Sequence, residues 1–181
     1  MIGDILIVLV ADILIGALFL TSGFGKLRNF ATFHGAVENY QLLPAVVVAP
    51  ATILILAAEI VGGGLAALGL VIGSQVGLVI IAAMLLLYAG AMALNLARGR
   101  RNIDCGCAGF GGKRDGLDWS LVVRNLALAS VAAFAAVAPF DSRTLTALDW
   151  FSLLGALMSF PLLYIAMGNF MALRSMIGQN L

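Results

Sequence analysis

Residues 45–97 read AVVVAPATILILAAEIVGGGLAALGLVIGSQVGLVIIAAMLLLYAGAMALNLA, a stretch whose one charged side chain is Glu59. A single α-helix of this length would measure about 80 Å, at a rise of roughly 1.5 Å per residue. The hydrocarbon core of a bilayer is about 30 Å thick and needs about 20 apolar residues per crossing. The stretch is therefore too long for one crossing and fits two. We predict the break between Gly69 and Gln75, where glycine and polar residues interrupt the Leu and Ile residues.

The composition of the whole chain agrees with a membrane protein. Of its 181 residues, 62% are hydrophobic and 10% are charged, against roughly 25% charged in soluble domains. So few charges cannot cover a soluble exterior, which excludes a water-soluble enzyme, and the high apolar content excludes a disordered chain. A formal net charge of +1 gives no basic surface for nucleic acid. The sequence predicts an all-α integral membrane protein.

Five segments are long and apolar enough to be spans, at approximately 4–24, 46–68, 75–97, 117–138 and 149–168. They leave no soluble domain, so we predict one membrane domain over residues 1–181. Between the first two spans, residues 29–43 place Phe30, Phe33, Val37 and Tyr40 on one helical stripe. That pattern is typical of a short amphipathic helix lying in the interface.

The basic residues are distributed unevenly between the two faces of such a five-span bundle. One face receives eight of them and the other receives Arg143 alone. The positive-inside rule therefore predicts loop 98–116 in the cytoplasm and the N-terminus outside. The N-terminus carries no positive charge, so we interpret the first span as a retained anchor and not a cleaved signal peptide. The eight residues are Lys26, Arg28, Arg98, Arg100, Arg101, Lys113, Arg114 and Arg174.

Both cysteines of the chain, Cys105 and Cys107, lie one residue apart in a glycine-rich loop. A disulfide between them closes a small, strained ring, and strain makes a disulfide easier to reduce. Such a bond suits an exchange centre better than a structural staple. Lys113 and Arg114 would favour the thiolate whereas Asp104 would oppose it, which leaves the reactivity open.

Other uses of two cysteines can be weighed against redox chemistry. Haem attachment needs Cys-X-X-Cys-His, and no histidine follows here. A structural zinc site needs four ligands, and two cysteines with one distant histidine fall short, so no metal site is predicted. An inert pair of thiols remains an alternative. The placement of both cysteines in one loop, with none in the spans, favours redox exchange.

Three ionisable side chains fall inside the predicted spans: Asp12, Glu59 and Arg124. Charges at bilayer depth are costly and are usually paired or functional. Counting from the same face places Asp12 and Glu59 at similar levels, roughly 18–20 Å deep, as candidates for a proton or quinone site. The alternative for each is a structural hydrogen bond between helices. Arg124 and the adjacent Asn125 are candidates for support beneath the cysteine loop, together with Asp104.

The chain resembles a known family at several separated motifs. The SGFGKL motif at residues 22–27 resembles the opening signature of DoxX-like membrane proteins. The motifs that follow it along the chain narrow the resemblance to the MauE family of methylamine utilisation proteins. The cysteine motif is the most specific of them. The motifs are SGFGKL at 22–27, ENYQLLP at 38–44, Glu59, DCGC at 104–107, Trp119 and RN at 124–125.

The resemblance implies a multi-pass protein of the bacterial inner membrane. It further implies a role in maturation of the methylamine dehydrogenase small subunit, with a thioredoxin-like partner, MauD, in forming the disulfides of that subunit or in processing or transporting it. The exchanging residues would be Cys105 and Cys107. A periplasmic substrate conflicts with the cytoplasmic loop that the charges predict. The loop is periplasmic despite its charges, or the protein carries electrons across the membrane, or the cysteines are reachable from both sides.

Two other functions remain open at the level of sequence. One is a processing or export helper, or a transporter, in which the cysteines have no task. The other is a quinone-associated membrane subunit centred on Asp12 and Glu59, for which a membrane quinone would be the cofactor. Whether the chain is an enzyme, namely a thiol-disulfide oxidoreductase, also stays open.

Overall fold

A computed structural model describes residues 5–72, 75–103, 116–137 and 146–178 of the chain. Every regular element within these ranges is an α-helix, which confirms the predicted all-α class. The helices are α1 (Ile5–Arg28), α2 (Phe30–Asn39), α3 (Ala45–Ile72), α4 (Val76–Ala97), α5 (Trp119–Val137) and α6 (Ala147–Gly178).

Four of these helices are long and apolar enough to cross a membrane, over Val8–Arg28, Ala45–Gly69, Val76–Ala97 and Trp119–Val137. The apolar stretch of residues 45–97 thus forms two helices, because α3 ends at Ile72 and α4 begins at Val76. The fifth predicted span, 149–168, falls within α6, whose described apolar part is the shorter stretch Ala147–Leu163. Crossing by α6 stays a prediction.

The short helix expected after the first span is α2, which buries Phe33 and Ala36. It ends at Asn39, and the chain turns at Gln41, a non-glycine residue with a positive φ of 50°. Pro44 follows directly before α3. Because proline fixes its own φ and disfavours a helical conformation of the residue before it, α2 and α3 are separate helices.

Helix α3 packs antiparallel against both α1 and α4. The approach of α4 is closest at Gly77, where an added Cβ would lie 2.1 Å from the backbone nitrogen of Ala66. Towards α1, an added Cβ on Gly16 would lie 3.1 Å from the carbonyl oxygen of Gly63. Small residues at both contacts let the backbones touch, which is the usual basis of helix association in lipid.

Two clusters of buried apolar side chains form the core. The larger joins α1, α3, α4 and α5 and includes Leu78 and Ile81, which are fully buried. The smaller lies where α4 ends and α5 begins, and it includes Ile103 and Leu117. The backbone N–H of Leu117 donates to the carbonyl oxygen of Arg101 at 2.6 Å. This hydrogen bond holds together the two ends of the loop between α4 and α5.

Candidate functional site

The most concentrated polar cluster in the described residues is a buried ion pair with a tyrosine. Lys26 of α1 donates to Glu59 Oε1 of α3, and the hydroxyl of Tyr88 of α4 donates to the same oxygen. Lys26 Nζ also lies 3.3 Å from the Tyr88 hydroxyl oxygen. Lys26 is 2% exposed and Glu59 is 1% exposed. Three helices therefore contribute one side chain each to a closed triad.

Gly23 explains why Glu59 comes within reach of Lys26. An added Cβ at Gly23 would lie 2.9 Å from Cγ1 of Ile60 and 3.6 Å from Cβ of Glu59. Residues three apart on a helix share a face, so Gly23 admits α3 to the same side of α1 that carries Lys26. The spacing in the SGFGKL motif thus has a physical reason: a glycine for close approach and a lysine for the acid beside it.

Two aromatic rings complete the surroundings of the ammonium group. Lys26 Nζ lies 4.8 Å from the ring centroid of Phe33 and 4.9 Å from that of Tyr88. Both distances are within the roughly 6 Å range of cation–π attraction. Phe33 belongs to α2, so this short helix covers the ion pair on one side.

The triad balances its own charge in a low-dielectric interior. Taking each ion out of water costs several kcal/mol, and the cost is offset only when the partners also supply good hydrogen bonds. Glu59 Oε1 has two donors, whereas Oε2 is buried and has no hydrogen-bond partner in the part of the chain that the structure describes. One acceptor at the centre of the site is therefore left for a further donor.

The structure places Asp12 away from Glu59, so the prediction that the two acids lie at similar levels is wrong. The helix contacts set Gly23 beside Glu59, and Asp12 lies 11 residues earlier in α1, about 16 Å along the axis. Counting from the first apolar residue misjudged the depth because the first turns of α3 extend past the end of α1. Asp12 is itself buried, at 1% exposure.

The cysteine loop falls mostly outside the described residues. Asp104, Cys105 and Cys107 belong to the range 104–115, so their predicted roles are not tested. The described flanks do connect this loop to the triad. Ile103 and Leu117 lie in the same apolar cluster as Met92 and Leu96, and Tyr88 packs against that cluster.

The two support residues predicted on α5 lie in its first two turns, near the base of the cysteine loop. Asn125 is buried, and its side-chain nitrogen has no hydrogen-bond partner within the described residues. Arg124 is half-buried beside it. Their position is compatible with support for the loop, which stays a prediction.

Asp118 caps the N-terminus of α5 on the same side of the bundle. A hydrogen bond from the side chain of Ser120 is the main cause that lowers the pKa of Asp118 below its usual range. The backbone N–H groups of Trp119 and Ser120 act in the same direction. The carboxylate therefore satisfies donors that the first turn of a helix leaves unpaired.

Arg100 ties α2 to the start of the cysteine loop. Its Nη2 donates to the carbonyl oxygen of Asn39 at 3.0 Å, and its Nη1 donates to that of Tyr40 at 3.3 Å. Nη1 also donates to Oδ1 of Asn95 at 3.3 Å. Carbonyl groups at the end of a helix lack partners within it, and a cation there is favourable.

Sequence reasoning missed three residues of this region: Lys26, Tyr88 and Arg100. Lys26 was assigned to the SGFGKL motif and to the interfacial charges but to no site, Arg100 was counted only as an interfacial charge, and Tyr88 lies within an apolar helix without any marking pattern. The one available signal was Glu59, because an acid at bilayer depth needs a partner. It predicts a partner but does not say which residue supplies it.

No group of three or more His, Cys, Asp or Glu side chains able to hold a metal ion occurs within ranges 5–72, 75–103, 116–137 and 146–178. The triad instead offers an ammonium, a carboxylate and a phenol within hydrogen-bond distance of one another. These groups can bind a polar headgroup or pass a proton among themselves.

Comparison with known proteins gives one consistent family. The family profile described as Methylamine utilisation protein MauE matches residues 5–138. The chain is 36% identical over 121 residues to Methylamine utilization protein MauE of Paracoccus denitrificans, covering 66% of this chain and 63% of that protein. It is 30% identical over 167 residues to the protein of the same name from Methylophilus methylotrophus, covering 92% and 86%.

A third relative of that name, from Methylorubrum extorquens, is 34% identical over 133 residues, covering 68% of this chain and 69% of the relative. The match to the Paracoccus denitrificans protein, described above, covers less than two thirds of that protein's length. No solved structure matches this chain significantly.

Proposed function

This chain belongs to the MauE family of methylamine utilisation proteins, and we propose that it assists maturation of the methylamine dehydrogenase small subunit by thiol-disulfide exchange at Cys105 and Cys107. As a family member it is a multi-pass membrane accessory protein of methylamine utilisation. We place it in the bacterial inner membrane. Its proposed partners are a thioredoxin-like MauD protein and the small subunit itself.

The observation that carries the proposal is the placement of the only two cysteines. They are one residue apart, in the one loop whose described ends pack against the cluster that also contacts Tyr88. The hydrogen bond between Leu117 and Arg101 fixes the base of this loop. The sequence between the described ends of the loop is rich in glycine. A loop with a fixed base and such a sequence suits a dithiol that reacts with the sulfur atoms of another protein.

The exchange step balances without a metal. A thiolate of the partner attacks one sulfur of the Cys105–Cys107 disulfide, forms a mixed disulfide and releases the other cysteine as a thiol. The second thiol of the partner then attacks the mixed disulfide and releases the remaining cysteine. The partner loses two electrons and two protons and gains a disulfide, while Cys105 and Cys107 become thiols. A two-electron acceptor, for which we propose a membrane quinone reduced to the quinol, restores their disulfide and takes up the two protons.

The proposal is tested by removing the sulfur atoms and following the disulfides of the small subunit. Cys105→Ser, Cys107→Ser and the double variant are expressed in the native host, grown on another carbon source with methylamine present. The control is Asn102→Ser, an exposed substitution in the same loop. We expect the double variant to lose correctly bridged small subunit, measured by mass spectrometry, whereas the control keeps it. Normal bridging in the double variant would refute the proposal.

A second experiment decides on which side of the membrane the exchange occurs. The flanks of the loop carry exposed Arg98 and Arg101, and such charges favour the cytoplasmic side, whereas the proposed substrate is periplasmic. A membrane-impermeant thiol reagent applied to intact cells labels Cys105 and Cys107 only from outside. Labelling supports direct exchange with the subunit. Labelling only after cells are opened requires electron transfer across the membrane.

A quinone-associated subunit is a second candidate function, favoured by the triad. The ammonium of Lys26 can donate to a quinone carbonyl, and Glu59 Oε2 is a buried acceptor without a described partner. Glu59→Gln tests this role, with Asn102→Ser as the control. Unchanged thiol turnover with a quinone in Glu59→Gln would exclude it.

A further inference from the structure

Asp12 is a buried acid that the triad does not use. It is 1% exposed, and neither of its carboxyl oxygens has a hydrogen-bond partner in the described part of the chain. Its neighbours on the same face of α1, Val8 and Ile15, are buried apolar residues. Ile15 belongs to the cluster that includes Leu78 of α4 and Ala132 of α5. Asp12 therefore lies in the apolar interior of the bundle.

The helix register places a second buried polar group at the level of Asp12. Gly16 of α1 and Gly77 of α4 both contact α3 at Ala66. Asp12 lies one turn before Gly16, and Gln75 lies two residues before Gly77, so their levels differ by about 3 Å. Both polar atoms of the Gln75 side chain are buried and have no hydrogen-bond partner among the described residues. Two polar side chains without a described hydrogen-bond partner thus lie at the end of the bundle away from the cysteine loop.

The charged groups on the helices around Asp12 do not neutralise it. Glu59 of α3 is about 16 Å away along the axis and is paired with Lys26. Arg124 lies in the first two turns of α5, at the cysteine-loop end of the bundle. Asp149 of α6 is itself an acid and accepts hydrogen bonds from Thr146 at 2.7 and 2.8 Å. No described cation lies at the level of Asp12.

We propose that Asp12 is a proton-binding site, a neutral carboxylic acid that exchanges its proton at the end of the bundle opposite the cysteine loop. An ionised carboxylate without partners in an apolar interior is so costly that the group takes up a proton instead. A metal cation is a poor alternative because hard cations take about six oxygen ligands, and the described surroundings of Asp12 are largely aliphatic. The proposal does not depend on the thiol chemistry.

The surroundings of the two intramembrane acids also differ. Lys26 and Tyr88 both donate to Glu59, whereas Asp12 has no donor within the described residues. Hydrophobic carbodiimides react with protonated carboxyl groups in apolar surroundings and not with carboxylates. Membranes containing the full chain are treated with dicyclohexylcarbodiimide at neutral pH and analysed by peptide mass spectrometry. We expect modification of Asp12 and none of Glu59.

Lys26→Met is the matched control that shows whether the carbodiimide can reach the site of Glu59. Removing the ammonium leaves Glu59 as an unbalanced acid, which should take up a proton and become reactive. Modification of Glu59 in this variant without modification of Asp12 would overturn the proposal. Modification of both carboxyl groups supports it.

An infrared measurement keeps the proposal testable if the reagent reaches neither acid or if Lys26→Met does not fold. Asp12→Asn has nearly the same shape as the neutral acid and has no exchangeable carboxyl proton. The difference spectrum between the wild type and Asp12→Asn should show a carboxylic acid carbonyl band that shifts in deuterated water. Absence of the band, or a band that does not shift, would overturn the proposal.

Discussion

The buried pair of Lys26 and Glu59 predicts strong energetic coupling between two residues on different helices. Lys26→Met leaves Glu59 buried with only the Tyr88 hydroxyl as donor, and loss of one partner from a buried ion pair costs about 3–5 kcal/mol. Glu59→Gln leaves a buried ammonium and costs about the same. The double variant removes both charges while the glutamine amide keeps an acceptor for Tyr88, so we expect it to lose only about 1–2 kcal/mol.

The cycle is measured by reversible unfolding in detergent micelles, followed by the fluorescence of Trp119 and Trp150. The expected coupling energy is about 3 kcal/mol or more, because the double variant should be more stable than either single variant. Arg98→Met removes a charge from an exposed residue and should change the free energy of unfolding by less than about 0.5 kcal/mol. Additive single effects, with coupling under about 0.5 kcal/mol, would refute the buried ion pair.

Three further predictions concern packing, the α2 contact and acid stability. Gly77→Ala should separate α3 from α4, because its Cβ would lie 2.1 Å from the Ala66 nitrogen. Gly90→Ala is the matched control, because an added Cβ at Gly90 meets open space, and it should stabilise the chain by about 1 kcal/mol. Equal unfolding midpoints for the two variants would contradict the close contact between α3 and α4 at Gly77. Arg100→Met should speed amide hydrogen exchange at the end of α2, and unchanged exchange would show that the contact is dispensable. Asp118→Ala should cost about 1 kcal/mol at neutral pH. Because the pKa of Asp118 is lowered on folding, its contribution exists above about pH 4 and is lost as the pH falls further, so a pH-independent difference would contradict the cap.

The helical class could be predicted because it depends on local composition. About 20 apolar residues without charge specify a span whatever their neighbours are, and residues 45–97 contain two such runs. The break before α4 follows from the same local rule, since glycine and polar residues interrupt the run there. Whether α6 crosses the membrane is harder to predict, because its described apolar part is shorter than the four spans.

The partners of the buried charges could not be predicted, because they depend on how the helices are offset along their axes. Lys26 and Glu59 are 33 residues apart in the chain, and their contact requires the approach of α3 at Gly23. A shift of α3 by one turn, about 5.4 Å, would separate them. The depth assigned to Asp12 was wrong for the same reason, since counting from the span ends assumes helices with aligned ends.

The contact of Arg100 with α2 was likewise hidden from sequence. It joins Arg100 to backbone carbonyl groups of residues that lie 60 and 61 positions earlier in the chain. Because every residue has a backbone carbonyl group, the residue type at those positions does not indicate the contact. The cysteine pair was visible because its signal is local, two thiols one residue apart. Local chemistry and local hydropathy can be predicted from a sequence, whereas the offsets between helices along their axes are seen only in the folded structure.

The most direct test of the account is to trap the exchange itself. Cells that carry either Cys105→Ser or Cys107→Ser, grown on another carbon source with methylamine present, are quenched in acid, alkylated and searched for a covalent adduct of this chain. We predict that one of the single variants retains a mixed disulfide with the methylamine dehydrogenase small subunit or with a thioredoxin-like partner, and that the double variant retains none. Cysteines that stay fully reduced in wild-type cells, with no adduct in any variant, would contradict the account.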